Sequence, residues 1–80
     1  MNEWLESRYA ETLEGELARL AARRKVDPSF TIEDAEGTLR HLYIRDGNDQ
    51  DARGPLQDAV IGATIAAYEQ FIDAWRTEGT

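Results

Sequence analysis

The residues best suited to chemistry are one histidine and the two arginines near it. His41 is the only histidine of the chain, and Arg40 and Arg45 lie within four positions of it. Histidine can serve as a general base, a metal ligand or a pH switch, and arginine binds anions. This set predicts, as one of three hypotheses, a small-molecule or anion site at a dimer interface formed by Arg40, His41 and Arg45.

Metal chemistry has little support in the sequence. The chain has no cysteine, so thiolate metal sites and disulfides are excluded. The segment from Asp46 has the alternating oxygen spacing of a calcium loop, but its sixth and twelfth positions are Asp51 and Gln57. A calcium loop requires glycine and glutamate there. No carboxylate lies three or four residues from His41 to complete a bundle metal site. We expect no metal and no cofactor.

Covalent catalysis is equally unsupported. Ser7 and Ser29 are the only serines, and the six glycines are scattered, so the chain has neither a nucleophile elbow nor a phosphate-binding loop. A catalytic pocket must also exclude water, which one short bundle offers only between subunits. We therefore expect a protein that is not an enzyme.

The apolar spacing predicts three helices, over residues 3–26, 32–46 and 55–76. In the first, Leu5, Tyr9, Leu13, Leu17 and Leu20 recur at intervals of four and three. Thr31 with Asp34 forms a capping-box pattern before the second helix, and Pro55 suits the first position of the third. Gly47 is expected to close the second helix in the left-handed conformation. Phe30 is expected to pack back onto Ala35.

The third helix is apolar over an unusually wide arc. Ile61, Ile65, Tyr68, Ile72 and Trp75 form one row, and a second row lies beside it. A single domain of residues 1–80 folded as an up-down-up three-helix bundle follows from this pattern. Because the second helix is the shortest, it cannot cover the whole groove between the other two. The surplus apolar surface predicts a homodimer, with the candidate interface residues Trp4, Leu5, Ile61, Ile65, Tyr68, Ile72 and Trp75.

The composition narrows the class of partner. The formal net charge is -7, and phosphate-backbone binding needs the opposite sign. We therefore expect no nucleic-acid binding, and no membrane association, since no apolar run approaches about 18 residues. An N-terminus without a basic and apolar leader predicts a cytoplasmic protein.

Three functional hypotheses result. The first is a non-enzymatic interaction or structural module that acts as a homodimer. The second is an acidic, antidote-like inhibitor of a basic protein, motivated by the net charge and the acidic segment from Asp46 to Asp51. The third is the anion or small-molecule site described above.

Overall fold

The computed structural model describes residues 3–49 and 54–79, and for Asn48 and Asp49 it describes the backbone only. This part of the chain contains three α-helices and no strand. Helix α1 is Glu3–Val26, α2 is Ile32–Asp49 and α3 is Pro55–Glu78. The predicted all-α class with three helices is confirmed, and each helix begins where the sequence predicted.

Local hydrogen bonds explain why α2 and α3 begin where they do. The backbone N–H of Thr31 donates to Asp34 Oδ2 at 2.9 Å, and the N–H of Asp34 donates to Thr31 Oγ1 at 3.2 Å. This reciprocal pair is the predicted capping box, which satisfies two amides that the first turn leaves without helical partners. Pro55 lies at the start of α3, as predicted, where its missing N–H costs no hydrogen bond.

The ends of α2 and α3 lie further along the chain than the sequence predicted. Gly47 is helical, and no glycine of the described residues has a positive φ, so the predicted left-handed closure at Gly47 is wrong. Instead α2 continues to Asp49, because a glycine permits that turn without enforcing it. Helix α3 continues to Glu78, whose carboxylate is held by Arg24, and Gly79 follows it.

Side-chain contacts give the directions of the helices. Going along α1, Tyr9 approaches Gly62, Arg19 bonds to Tyr68 and Arg24 bonds to Glu78, so α1 and α3 are parallel. Going along α2, Glu36 pairs with Arg76 and Tyr43 with Glu69, so α2 is antiparallel to α3. The three helices therefore run up, down and up.

The core lies where both outer helices meet α3. Leu20 of α1, Ala35 of α2 and Phe71 of α3 are buried there with Phe30 from the connection between α1 and α2. Phe30 and Ala35 belong to one buried cluster, as expected for a hydrophobic staple at the start of α2. Leu17, Leu39 and Leu42 are partly buried against this cluster, and Ala63 and Ala67 of α3 are fully enclosed.

The three helices form an open arrangement with α3 in the middle. Helix α3 packs against both α1 and α2, whereas no Cα atom of α1 lies within 8 Å of one in α2. The molecule measures 40 × 26 × 22 Å, and its radius of gyration is 13.6 Å. A compact domain of this length would have a radius of about 11.6 Å. In the described part of the chain, no helix combines the length and apolar character needed to cross a membrane.

Candidate interaction surface

The C-terminal ends of α1 and α3 are closed by an aromatic cluster. Phe71 and Trp75 meet edge to face with centroids 5.5 Å apart, and Phe30 lies 5.8 Å from Trp75 and 6.3 Å from Phe71. The guanidinium of Arg23 lies 4.2 Å from the Phe30 centroid, and that of Arg24 lies 4.0 Å from the Trp75 centroid. These rings and cations cover each other inside one chain, so the aromatic side chains of this cluster offer little apolar surface to a partner.

Ion pairs reinforce the same end. Arg24 Nη1 and Nη2 donate to the two oxygens of Glu78 at 2.8 and 3.0 Å, and this hydrogen bond lowers the pKa of Glu78 below its ordinary value. Arg19 donates to the Tyr68 hydroxyl at 3.2 Å and to Glu16 at 2.7 Å. The bond to Tyr68, followed by that to Glu16, raises the pKa of Arg19. The contacts of Arg24 with Glu78 and of Arg19 with Tyr68 fix the C-terminal half of α1 against that of α3.

The structure distributes the predicted interface residues over three environments. Tyr68 and Ile72 are buried in the intramolecular core, at 5% and 3% exposure. Trp75 is partly buried against Phe30 and Phe71. Trp4 alone among the seven is largely exposed, at 60%. The remaining predicted interface residues, which are half-buried, are Leu5, Ile61 and Ile65. Sequence periodicity identified the apolar face of α3 but did not show that α1 and α2 cover much of it.

An apolar hollow opens at the N-terminal ends of α1 and α3. It measures about 400 Å³ and is lined by Leu5, Glu6, Tyr9 and Ala59. Tyr9 is 38% exposed, and Leu56, in the first turn of α3, is 43% exposed. The antiparallel register set by Tyr43 with Glu69 places the end of α2 near Ala63. The first two turns of α3 therefore extend beyond α2, and this end of the molecule is only partly covered.

The proposed anion-binding residues do not converge on one site. Arg40, His41 and Arg45 are all exposed on α2. Arg40 lines a groove between α2 and α3 whose floor contains Leu39 and Ile72, while His41 and Arg45 do not line it. The same groove carries three carboxylates, those of Glu36, Glu69 and Asp73. Arg40 and Arg76 offset two of these three negative charges, so the groove has no excess of positive charge to bind an anion, and the anion hypothesis gains no support from it.

Four of the ionisable groups of this groove are engaged with each other in two pairs. Arg76 pairs with Glu36, and the Tyr43 hydroxyl donates to Glu69. That hydrogen bond raises the pKa of Tyr43, because ionising the phenol would lose the bond and place two negative charges together. These two pairs are polar contacts between α2 and α3.

The predicted acidic loop falls partly outside the described residues. Asp46 and Gly47 belong to α2, so the calcium-loop geometry does not begin at Asp46. Gln50 and Asp51 lie outside the part of the chain that the structure describes. Among the described residues, no group of three or more metal-binding side chains is close enough to hold an ion.

Sequence reasoning singled out Trp4 but did not identify the exposed side of α1 on which Trp4 and Val26 lie as a candidate surface. Val26 is 77% exposed at the end of α1, and Trp4 is 60% exposed at its beginning. Between them, Gly15, Ala18 and Ala22 are also exposed. Their spacing of four and three was visible in the sequence, but the leucines on the opposite side of α1 gave a stronger signal.

Comparison with known proteins gives no assignment. No family model matches the chain, and neither a curated protein nor a solved structure shows significant similarity to it.

Proposed function

We propose that this chain is a non-enzymatic interaction module that acts as a homodimer. The observation that carries the proposal is its surplus of accessible surface. The protomer exposes 5568 Å² at a mass of 9.1 kDa. A compact monomer of that mass exposes about 4,900 Å². The difference, about 700 Å², is close to the roughly 800 Å² that each partner buries in a standard protein interface.

The open packing of the helices explains this surplus. Helix α2 packs against α3, and none of its Cα atoms lies within 8 Å of one in α1, so the backbones of the two outer helices stay apart. Large exposed apolar side chains are present on all three helices, and they include Trp4, Val26, Ile44 and Leu56. Single exposed apolar residues are normal, but an arrangement that leaves a complete helix face without a neighbour favours association.

Exchange between two differently tagged copies would test this proposal. A tagged chain would be mixed with an untagged chain of the same sequence at about micromolar concentration, and the tag would then be captured. The amount of untagged chain recovered should rise with the amount of untagged chain added, until every tagged chain has a partner. Failure to recover any untagged copy as the concentration is raised to about millimolar would contradict the proposal.

A basic protein partner is the second candidate, and one observation favours it. Residues 3–16 of α1 carry five glutamates against a single arginine, so this half of the helix is strongly acidic. An acidic surface of this kind accelerates the approach of a basic protein and loses its effect as salt rises. If this alternative is correct, captured partners should elute between about 0.1 and 0.5 M salt. Binding that does not depend on the salt concentration would exclude this alternative.

A further inference from the structure

Helix α1 has a second face that no described residue covers. We call it the outer face and define it by the exposed residues Trp4, Gly15, Ala18, Ala22 and Val26. These residues recur at intervals of three, four and eleven, so they lie on one side of the helix. Leu13, Leu17 and Leu20, which are buried or half-buried, lie on the opposite side. Only Arg8 and Glu11 add charge along the outer face.

The outer face is nearly symmetric about its centre. Gly15 lies eleven residues from Trp4 and eleven residues from Val26. If a second copy of α1 runs antiparallel with its Gly15 opposite this one, Trp4 of each copy meets Val26 of the other. Both side chains are more than half exposed in the isolated chain, at 60% and 77%. The pairing would therefore remove the two most exposed large apolar side chains of the described residues from water together.

The centre of the face permits close approach. A Cβ atom added to Gly15 would meet no atom within 4 Å, so space above this residue is open. Without a side chain at Gly15, and with only methyl groups at Ala18 and Ala22, two helices can pack near the lower end of the usual 8–10 Å separation. A glycine costs about 1 kcal/mol in a helix interior, and a close helix contact at this position would offset that cost.

The charge along α1 favours the antiparallel orientation. Residues 3–16 carry a net negative charge, whereas Arg19, Arg23, Arg24 and Lys25 make the second half basic. Glu16, Asp27 and Glu78 pair with Arg19, Arg23 and Arg24 and offset most of that positive charge, and the charge of Lys25 remains. An antiparallel pair places each acidic half against a basic half, while a parallel pair would place like charges together.

We infer that two copies pair antiparallel along the outer face of α1, with the two-fold axis at Gly15. This inference rests on the proposed self-association and identifies the surface responsible for it. Residues on α2 and the aromatic cluster at the end of α3 take no part in the contact.

Engineered disulfides would test the geometry, since the chain contains no cysteine of its own. Gly15→Cys should cross-link to itself on mild oxidation, because the two sulfurs would face each other across the axis. Ala22→Cys is the matched control on the same face. Its two copies would lie about 21 Å apart along the antiparallel pair, so it should not cross-link to itself. A mixture of Arg8→Cys and Ala22→Cys should form the mixed disulfide.

Replacing a side chain of the outer face by alanine would test how much the contact contributes to the affinity of the dimer. Trp4→Ala should raise the Kd of the dimer about thirtyfold, because truncating a buried interface aromatic often costs about 2 kcal/mol. Ile44→Ala, which shortens a similarly exposed side chain on α2, should leave the Kd within about twofold. Far-ultraviolet circular dichroism spectra with unchanged helical content, recorded below the Kd of the wild-type dimer, would show that both variants remain folded.

The outcomes separate this inference from the proposed function. Self-cross-linking of Ala22→Cys as efficient as that of Gly15→Cys would indicate parallel pairing and overturn the inference. Dimers that exchange copies but form no Gly15→Cys disulfide would show that another surface is used, and self-association would stand. Absence of copy exchange in the wild-type chain would reject both.

Discussion

Leu20 is the largest side chain that the described part of the molecule encloses completely. It lies at the meeting point of α1, the Phe30 connection and α3, so its removal leaves a cavity that several elements must tolerate. Leu20→Ala should lower the free energy of unfolding by about 2–5 kcal/mol, measured by urea denaturation. Ile44→Ala, on the exposed side of α2, is the control and should cost less than about 0.5 kcal/mol. Equal losses in the two variants would contradict this core assignment.

The Arg24–Glu78 pair makes the stability of the folded chain depend on pH. Arg24 holds the pKa of Glu78 below its ordinary value of 4.5, so the folded state binds this proton more weakly than the unfolded state. The resulting stability is present above pH 4.5 and is lost as pH falls through the lower folded pKa. Glu78→Gln should therefore lower the melting temperature at pH 7 and have a smaller effect near pH 3. A loss that is the same at both pH values would argue against this pair.

The capping box is the feature of α2 that the sequence specifies most directly. Thr31→Ala removes the acceptor for the Asp34 amide and should cost about 1 kcal/mol of stability. Thr38→Ala is the matched control, because Thr38 lies inside the same helix and donates only to the Asp34 carbonyl. Alanine favours helix, so Thr38→Ala should be neutral or slightly stabilising. Thermal melts of the two variants would show whether the cap stabilises α2.

The three helix starts and the end of α1 were predictable because their signals are local, whereas the ends of α2 and α3 were not. Thr31 with Asp34 and Pro55 act within one turn of chain, and the structure confirms both. Gly47 gave a misleading signal, since a glycine can close a helix or continue it. Arg24 with Glu78 holds the last turn of α3 to α1. Such tertiary contacts cannot be derived from local spacing.

The distinction between local signals and tertiary contacts applies to the candidate interaction surface as well. Apolar spacing showed that Tyr68 and Ile72 belong to a buried face, but not that α1 and α2 of the same chain bury it. Of the residues expected to lack cover near one end, Trp4 is 60% exposed, whereas Ile72 is only 3% exposed. Val26 was missed because it follows the leucine stripe and precedes a proline turn, where exposure depends on how the chain leaves α1.

At the scale of the whole molecule, the separation of the α1 and α2 backbones, which both pack on α3, accounts for the surplus surface. The elongated dimensions and the large accessible area are two consequences of the same arrangement. Association along α1 would convert two open protomers into a thicker, better covered assembly. Self-association should then add to stability, so the melting temperature of the wild-type chain should rise as its concentration increases. A melting temperature independent of concentration would oppose this linkage.

Sedimentation equilibrium of the wild-type chain over about 1 μM to 1 mM tests the central claim most directly. The account predicts a weight-average mass that rises from the 9.1 kDa of one protomer to twice that value and then stops. A mass that stays at one protomer throughout the range would contradict it.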